Sequence, residues 1–193
     1  MKKSKITGIL IAGVGGQGTV LASKILGLVA MKAGLDVKQS EIHGMSQRGG
    51  SVVTHVRFGE AVNSPLVASG TADVVMAFEE LEALRYMPCL KKGGLMIVNQ
   101  QRILPMPVIT GAAQYPESPV MEMKNGGIRV KSVAASALAQ ERGDIRGANV
   151  VLLGALAKEL DFHLSLWEEA IAACLKPKLV EMNLQAFALG QGV

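Results

Sequence analysis

The feature that most limits how this chain can fold is Gly13-Val14-Gly15-Gly16-Gln17-Gly18, set directly behind the apolar run Ile6 to Ala12. A short apolar run that ends in glycines reads as a buried parallel strand. Beyond the glycines, Val20, Leu21, Ile25, Leu28 and Val29 recur at helical spacing, which predicts a helix from Gln17 to Lys32 with Gly34 as its stop. At a strand-to-helix junction of this spacing, Gly13 permits a tight turn, Gly15 lets backbone approach a ligand, and Gly18 lets helix and strand pack closely. The helix start would offer free N–H groups to a phosphate or carboxylate. Asp36 to Ile42 reads as the next strand, parallel to the first if the crossover is right-handed.

The remaining chain continues in the same style. Ser51 to Phe58 follows only a short glycine-rich loop, too short for a helical crossover, so it is expected to run antiparallel to its predecessor and make the sheet mixed. Ala72 to Phe78 is a buried strand, followed by a helix from Glu79 to about Leu90 that Lys91-Lys92-Gly93-Gly94 would close. Leu95 to Val98 is a further strand. Pro105, Pro107, Pro116 and Pro119 keep residues 100–126 irregular, with a short strand at Val108 to Thr110. Ile128 to Val133 is the last strand. Helices follow at Ala134 to Glu141, Asn149 to Leu160, Leu166 to Leu175 and Pro177 to Leu189, with Ser165 and Glu168 at capping-box spacing. The expected fold is α/β: a three-layer, Rossmann-like α/β/α sandwich on a mostly parallel, mixed sheet, as one domain over residues 1–193.

Composition trims the possible functions. Lys and Arg total 20 against 16 Asp and Glu, a formal charge of +4, and no basic tract carries interleaved aromatics, so nucleic acid is not an expected partner. Cys89 and Cys174 are the only cysteines. Two distant thiols make no disulfide framework and fall short of the four that an iron–sulfur cluster needs. His43, His55 and His163 are too far apart in sequence for a metal motif. The glycines interrupt the first apolar stretch, so neither a signal peptide nor a membrane span is expected, and the chain reads as cytoplasmic.

A second loop is more specific: Glu41-Ile42-His43-Gly44-Met45-Ser46-Gln47-Arg48-Gly49-Gly50-Ser51-Val52. Its hydrogen-bonding side chains, His43, Ser46, Gln47 and Arg48, are bracketed by glycines at a strand exit, the edge where open α/β sheets bind ligands. Arg48 can pair bidentately with phosphate or carboxylate, or across an interface. Two readings of the pair of loops stand side by side. One is a dinucleotide-binding fold using Gly13, Gly15, Gly18 and Glu41, whose acid would hold a ribose.

The other is a resemblance. The two loops together resemble the gamma module of 2-oxoacid:ferredoxin oxidoreductases over essentially the whole chain, and the His43 to Val52 loop is similar to that of the branch acting on indolepyruvate. The resemblance implies a large partner subunit holding thiamine diphosphate and iron–sulfur clusters, coenzyme A as co-substrate, ferredoxin as acceptor, and no activity for this chain alone. It also implies that Gly13, Gly15, Gly16, Gln17, Gly18 and Thr19, with His43, Ser46, Gln47, Arg48, Gly49 and Gly50, face cofactor or partner. The chain carries no Gly-Asp-Gly thiamine motif. Among the other candidates, Glu79, Glu80 and Glu82 read as helix caps and solvated charge. His55 and His163 read as structural.

Overall fold

The computed structural model describes residues 6–44 and 49–193. Successive residues of a strand point to opposite faces of its sheet, so an uninterrupted apolar strand needs cover on both. In β1 (Thr7–Val14), Ile9 and Ile11 enter one core while Leu10 and Ala12 enter another. Around it lie β2 (Asp36–His43), β3 (Ser51–Gly59), β4 (Ala72–Ala77), β5 (Leu90–Asn99) and β6 (Arg129–Val133). The order across the sheet is β2-β3-β1-β4-β5-β6. Strands β1, β4, β5 and β6 are parallel, and β3 runs antiparallel between β1 and β2.

The sheet is thus mixed, as the short loop before β3 requires. β1 and β2 point the same way without being neighbours, because β3 returns between them.

The helices divide unequally between the faces. On one lie α1 (Thr19–Lys32), α5 (Ala135–Glu141), α6 (Ala148–Ala157), α7 (Leu164–Cys174) and α8 (Pro177–Gln191). On the other, α2 (Glu80–Tyr86) and α4 (Pro119–Asn125) cover the sheet through Ala83 and Met123. Every residue of α6 from Asn149 to Ala157 is buried, as befits a helix apolar on all sides. Phe58, Phe162, Trp167 and Phe187 form a run of ring contacts with centroids 5.4 to 6.3 Å apart, knitting β3, α7 and α8. Each such pair adds about 1 kcal/mol beyond its buried area.

Three local expectations are corrected. The helix after β4 stops at Tyr86 instead of Leu90, because Pro88 lies in a 3-10 turn over Met87–Cys89; Lys91 to Gly94 then begin β5 instead of closing a helix. Val108 to Thr110 is no strand: Met106–Ile109 is a one-turn helix, α3, with Pro107 in its first turn. At α7, the Nδ1 of His163 accepts from Ser165 N (3.4 Å), displacing the expected Ser165–Glu168 capping box.

Candidate functional site

The two glycine loops meet. At the carboxyl edge of the parallel strands, Gly15 N donates to the Gly50 carbonyl (2.8 Å) and Gly49 N to the Gly15 carbonyl (3.4 Å). Of the residues singled out from sequence, Gly13, Gly15, Gly16, Gln17, Gly18, Thr19, His43, Gly49 and Gly50 are gathered at this rim. Ser46, Gln47 and Arg48 lie outside the described residues.

Each part of the first loop has a physical assignment. Gly13 allows no side chain: a Cβ there would lie 2.9 Å from Gln17 Oε1 and 3.0 Å from the Thr19 methyl. Gln17 is a strut at the edge of a cleft. Its Oε1 accepts from Val14 N (2.7 Å), and its Nε2 donates to the Phe78 carbonyl and to Gln101 Oε1 (both 3.0 Å). Gly18 caps α1 in the left-handed region, at φ +82°, and its carbonyl accepts from Asn149 Nδ2 at 3.3 Å. None of the described side chains caps α1 and no acid stands in its first turn, so its positive end remains open.

Two clefts flank this loop. The first, about 380 Å³, opens towards α5 and α6, with Gln101, Ser136, Arg146 and Asn149 among its walls. Its floor is a closed amide network. Gln101 Oε1 accepts from Gln17 Nε2, from Asn99 Nδ2 (3.1 Å) and from Ser136 Oγ (3.1 Å), while Asn99 Oδ1 accepts from Ser136 N (3.2 Å). These residues were not singled out from sequence; the polar run Asn99-Gln100-Gln101 at the exit of a buried strand was the available signal. The second cleft, about 400 Å³, lies towards β2 and contains Thr19, Glu41 and His43. Since β3 separates β2 from β1, Glu41 stands about 5 Å, one strand spacing, beyond the place of a ribose-binding acid in a dinucleotide fold. That geometry disfavours the dinucleotide reading.

Beneath the second loop, two carboxylates are buried where solvated charge was expected. Glu79 is 1% exposed and Glu82 is 3% exposed. Glu79 does cap α2, as expected, accepting from Glu82 N (2.9 Å); its other oxygen accepts from Ile103 N (3.1 Å) and from the Tyr115 hydroxyl. Burial, with the adjoining Glu79 carboxylate, pushes the Tyr115 phenol well above its ordinary range. Glu82 accepts from Ser51 Oγ (2.5 Å) and from Arg85 Nη1 (2.7 Å). Burial raises the Glu82 pKa, against the opposing pull of Ser51 and Arg85. A cleft of about 290 Å³ above this pair is bordered by Gly49, Gly50, Ile103 and Met106.

The other candidates separate cleanly. His43 is exposed, its Nδ1 3.2 Å from the Gly44 carbonyl. His55 accepts from Val67 N (3.1 Å), and burial lowers its pKa. Cys89 and Cys174 are free thiols. No group of three His, Cys, Asp or Glu able to hold a metal occurs among the described residues.

Comparisons with known proteins agree with this architecture. Residues 8–192 match the family model described as pyruvate ferredoxin/flavodoxin oxidoreductase. Indolepyruvate oxidoreductase subunit IorB of Thermococcus kodakarensis is 45% identical, the match spanning 94% of this chain and 93% of that one. Ketoisovalerate oxidoreductase subunit VorA of Methanothermobacter thermautotrophicus is 27% identical over 94% of this chain, but this accounts for only 35% of the relative. The keto/oxoacid ferredoxin oxidoreductase gamma subunit of Geobacter sulfurreducens shares the fold, with a TM-score of 0.72 at 24% identity over 95% of each chain. With its two joined glycine loops on a six-stranded mixed sheet, the chain belongs to the pyruvate ferredoxin/flavodoxin oxidoreductase family.

Proposed function

We propose that this chain, acting as one gamma-type domain, is the small subunit of a 2-oxoacid:ferredoxin oxidoreductase of the indolepyruvate type. The observation that carries the reading is the contrast in identity, 45% over almost the full length of an indolepyruvate subunit against 27% for a ketoisovalerate one. In the complete enzyme an arylpyruvate and coenzyme A yield an aryl-acetyl-CoA and CO2, and ferredoxin takes the electrons. Two separated cysteines do not fit an iron–sulfur cluster. In this reading the clusters and thiamine diphosphate sit on a larger subunit, and the isolated small subunit is inactive. No helix among the described residues is long and apolar enough to cross a membrane.

This chain's own contribution is the joined rim. The open start of α1 at Gly16, Gly18 and Thr19, with His43, Ser46, Gln47 and Arg48, would border the shared site and meet anionic parts of coenzyme A or cofactor. The test is co-expression with a candidate large subunit and a ferredoxin-linked assay comparing indolepyruvate with pyruvate, 2-oxoglutarate and a branched 2-oxoacid. Indolepyruvate should be preferred. Arg48→Ala should lower that activity by about tenfold or more while the small subunit melts as before. Preference for another 2-oxoacid overturns the branch assignment, and wild-type turnover by the variant removes Arg48 from the site.

A further inference from the structure

Gly49 and Gly50 form the stem by which the second glycine loop joins β3, and two adjacent glycines hold no direction by themselves. Two backbone bonds lay this stem against the first loop. Gly15 N donates to the Gly50 carbonyl at 2.8 Å, and Gly49 N donates to the Gly15 carbonyl at 3.4 Å, long enough to be weak. Among the described residues, one side-chain bond completes the stem: Ser51 Oγ donates to Glu82 Oε2 at 2.5 Å.

That acceptor is itself fixed. Glu82 lies in the first turn of α2, its other oxygen accepting from Arg85 Nη1 (2.7 Å) and its N–H donating to the Glu79 carboxylate (2.9 Å). Glu79 also accepts from Ile103 N and the Tyr115 hydroxyl, so bonds run from the stem through α2 into the segment behind it. As packing, this is a costly choice. Glu82 is buried, which raises its pKa, and an apolar side chain of similar size would fill the place without desolvating a carboxyl group. What the carboxyl group adds is direction, because a connected polar network holds the Ser51 hydroxyl at one point.

We infer that Ser51 and Glu82 are a positioning pair, acting through Gly49 and Gly50 to aim the second glycine loop at coenzyme A in the assembled enzyme; this rests on the function proposed above. A misplacement of about 1 Å in a binding element can cost about a hundredfold. The expected signature is therefore kinetic and exceeds any loss of stability.

The test uses the full chain co-expressed with the larger subunit, following ferredoxin-linked oxidation of the preferred 2-oxoacid while coenzyme A is varied. Ser51→Ala should raise the KM for coenzyme A about tenfold or more and leave the KM for the 2-oxoacid within about twofold of wild type. Ser51→Thr, which keeps the hydroxyl, should restore it. Ser51→Ala joined with Glu82→Leu separates position from stability. Removing donor and acceptor together leaves no unpaired buried carboxyl group, so the small subunit should melt closer to wild type than Ser51→Ala alone. Its KM for coenzyme A should nevertheless stay as high. The same double variant carries the test should Ser51→Ala fail to assemble. A wild-type KM for coenzyme A in Ser51→Ala, or its recovery together with stability in the double variant, overturns the inference. So does an equal rise in KM for both substrates, or Ser51→Thr behaving as Ser51→Ala. A wild-type complex with no coenzyme A-dependent oxidation of any 2-oxoacid overturns instead the functional reading beneath it.

Discussion

The two glycine loops share a rim but are held by opposite means. The first is embedded. Gly13 and Gly18 are glycine because neighbouring atoms leave no space, and Gln17 ties the loop to the ends of β4 and β5 through two hydrogen bonds while a third holds it to Val14. The second is open at Gly49. Gly49 has φ +77°, yet no described atom lies within 4 Å of where its Cβ would sit, and support comes from Gly15 backbone and from Glu82 below. One loop is thus part of the framework. The other is carried on that framework at Gly49, Gly50 and Ser51.

Substituting glycines across the two loops should expose this difference, beginning with Gly18→Ala. The new methyl would meet both an unfavourable φ and the side chain of Asn149, whose Nδ2 already bonds the Gly18 carbonyl. Strain and overpacking together should cost about 3 kcal/mol. In a chain of this length that lowers the melting temperature by about 6–12 °C. A loss under about 1 °C would show that the loop is not embedded. Gly49→Ala meets only the φ penalty, about 1 kcal/mol and so about 2–4 °C. Its larger consequence should be in the assembled enzyme, where ferredoxin-linked activity falls more than stability accounts for. Equal stability losses at the two glycines would erase the distinction between framework and open loop.

The sequence disclosed these regions unevenly, for physical reasons. Apolar runs with a period of two or of 3.6 carry their own signature, so the strands and most helices were legible to within a few residues. The antiparallel return of β3 followed from the shortness of its preceding loop. Its insertion beside β1 did not, because neighbour choice in a sheet is decided by packing that no local pattern records. The bonds that hold Gln17 were not legible, because spacing says nothing of which way an amide turns; its partners come from Phe78 and Gln101, far along the chain. Glu79 and Glu82 looked solvated for the same reason. Their burial depends on Ile103 and Tyr115 folding back over α2 and on Ser51 arriving from β3.

Glu82→Gln refines the comparison by asking whether the second loop's support is ionic. Burial favours the protonated acid, so the folded pKa is raised from the ordinary value of 4.5. A raised folded pKa means that the folded chain binds this proton more tightly than the unfolded chain. The resulting stabilisation is complete below that ordinary value and is lost as pH rises through the folded pKa. Glutamine is neutral throughout and retains an acceptor for Arg85 or Ser51. The stability of Glu82→Gln relative to wild type should therefore climb as pH rises above the ordinary value, then level off. The total change should be about 1 kcal/mol or less, since Ser51 and Arg85 offset the cost of burial. Paired thermal melts between about pH 4 and 8 measure that difference directly, with carboxylates common to both chains cancelling. A relative stability that falls across this range would mean that the ion pair with Arg85 outweighs burial, and the second loop would then rest on a charge the fold favours.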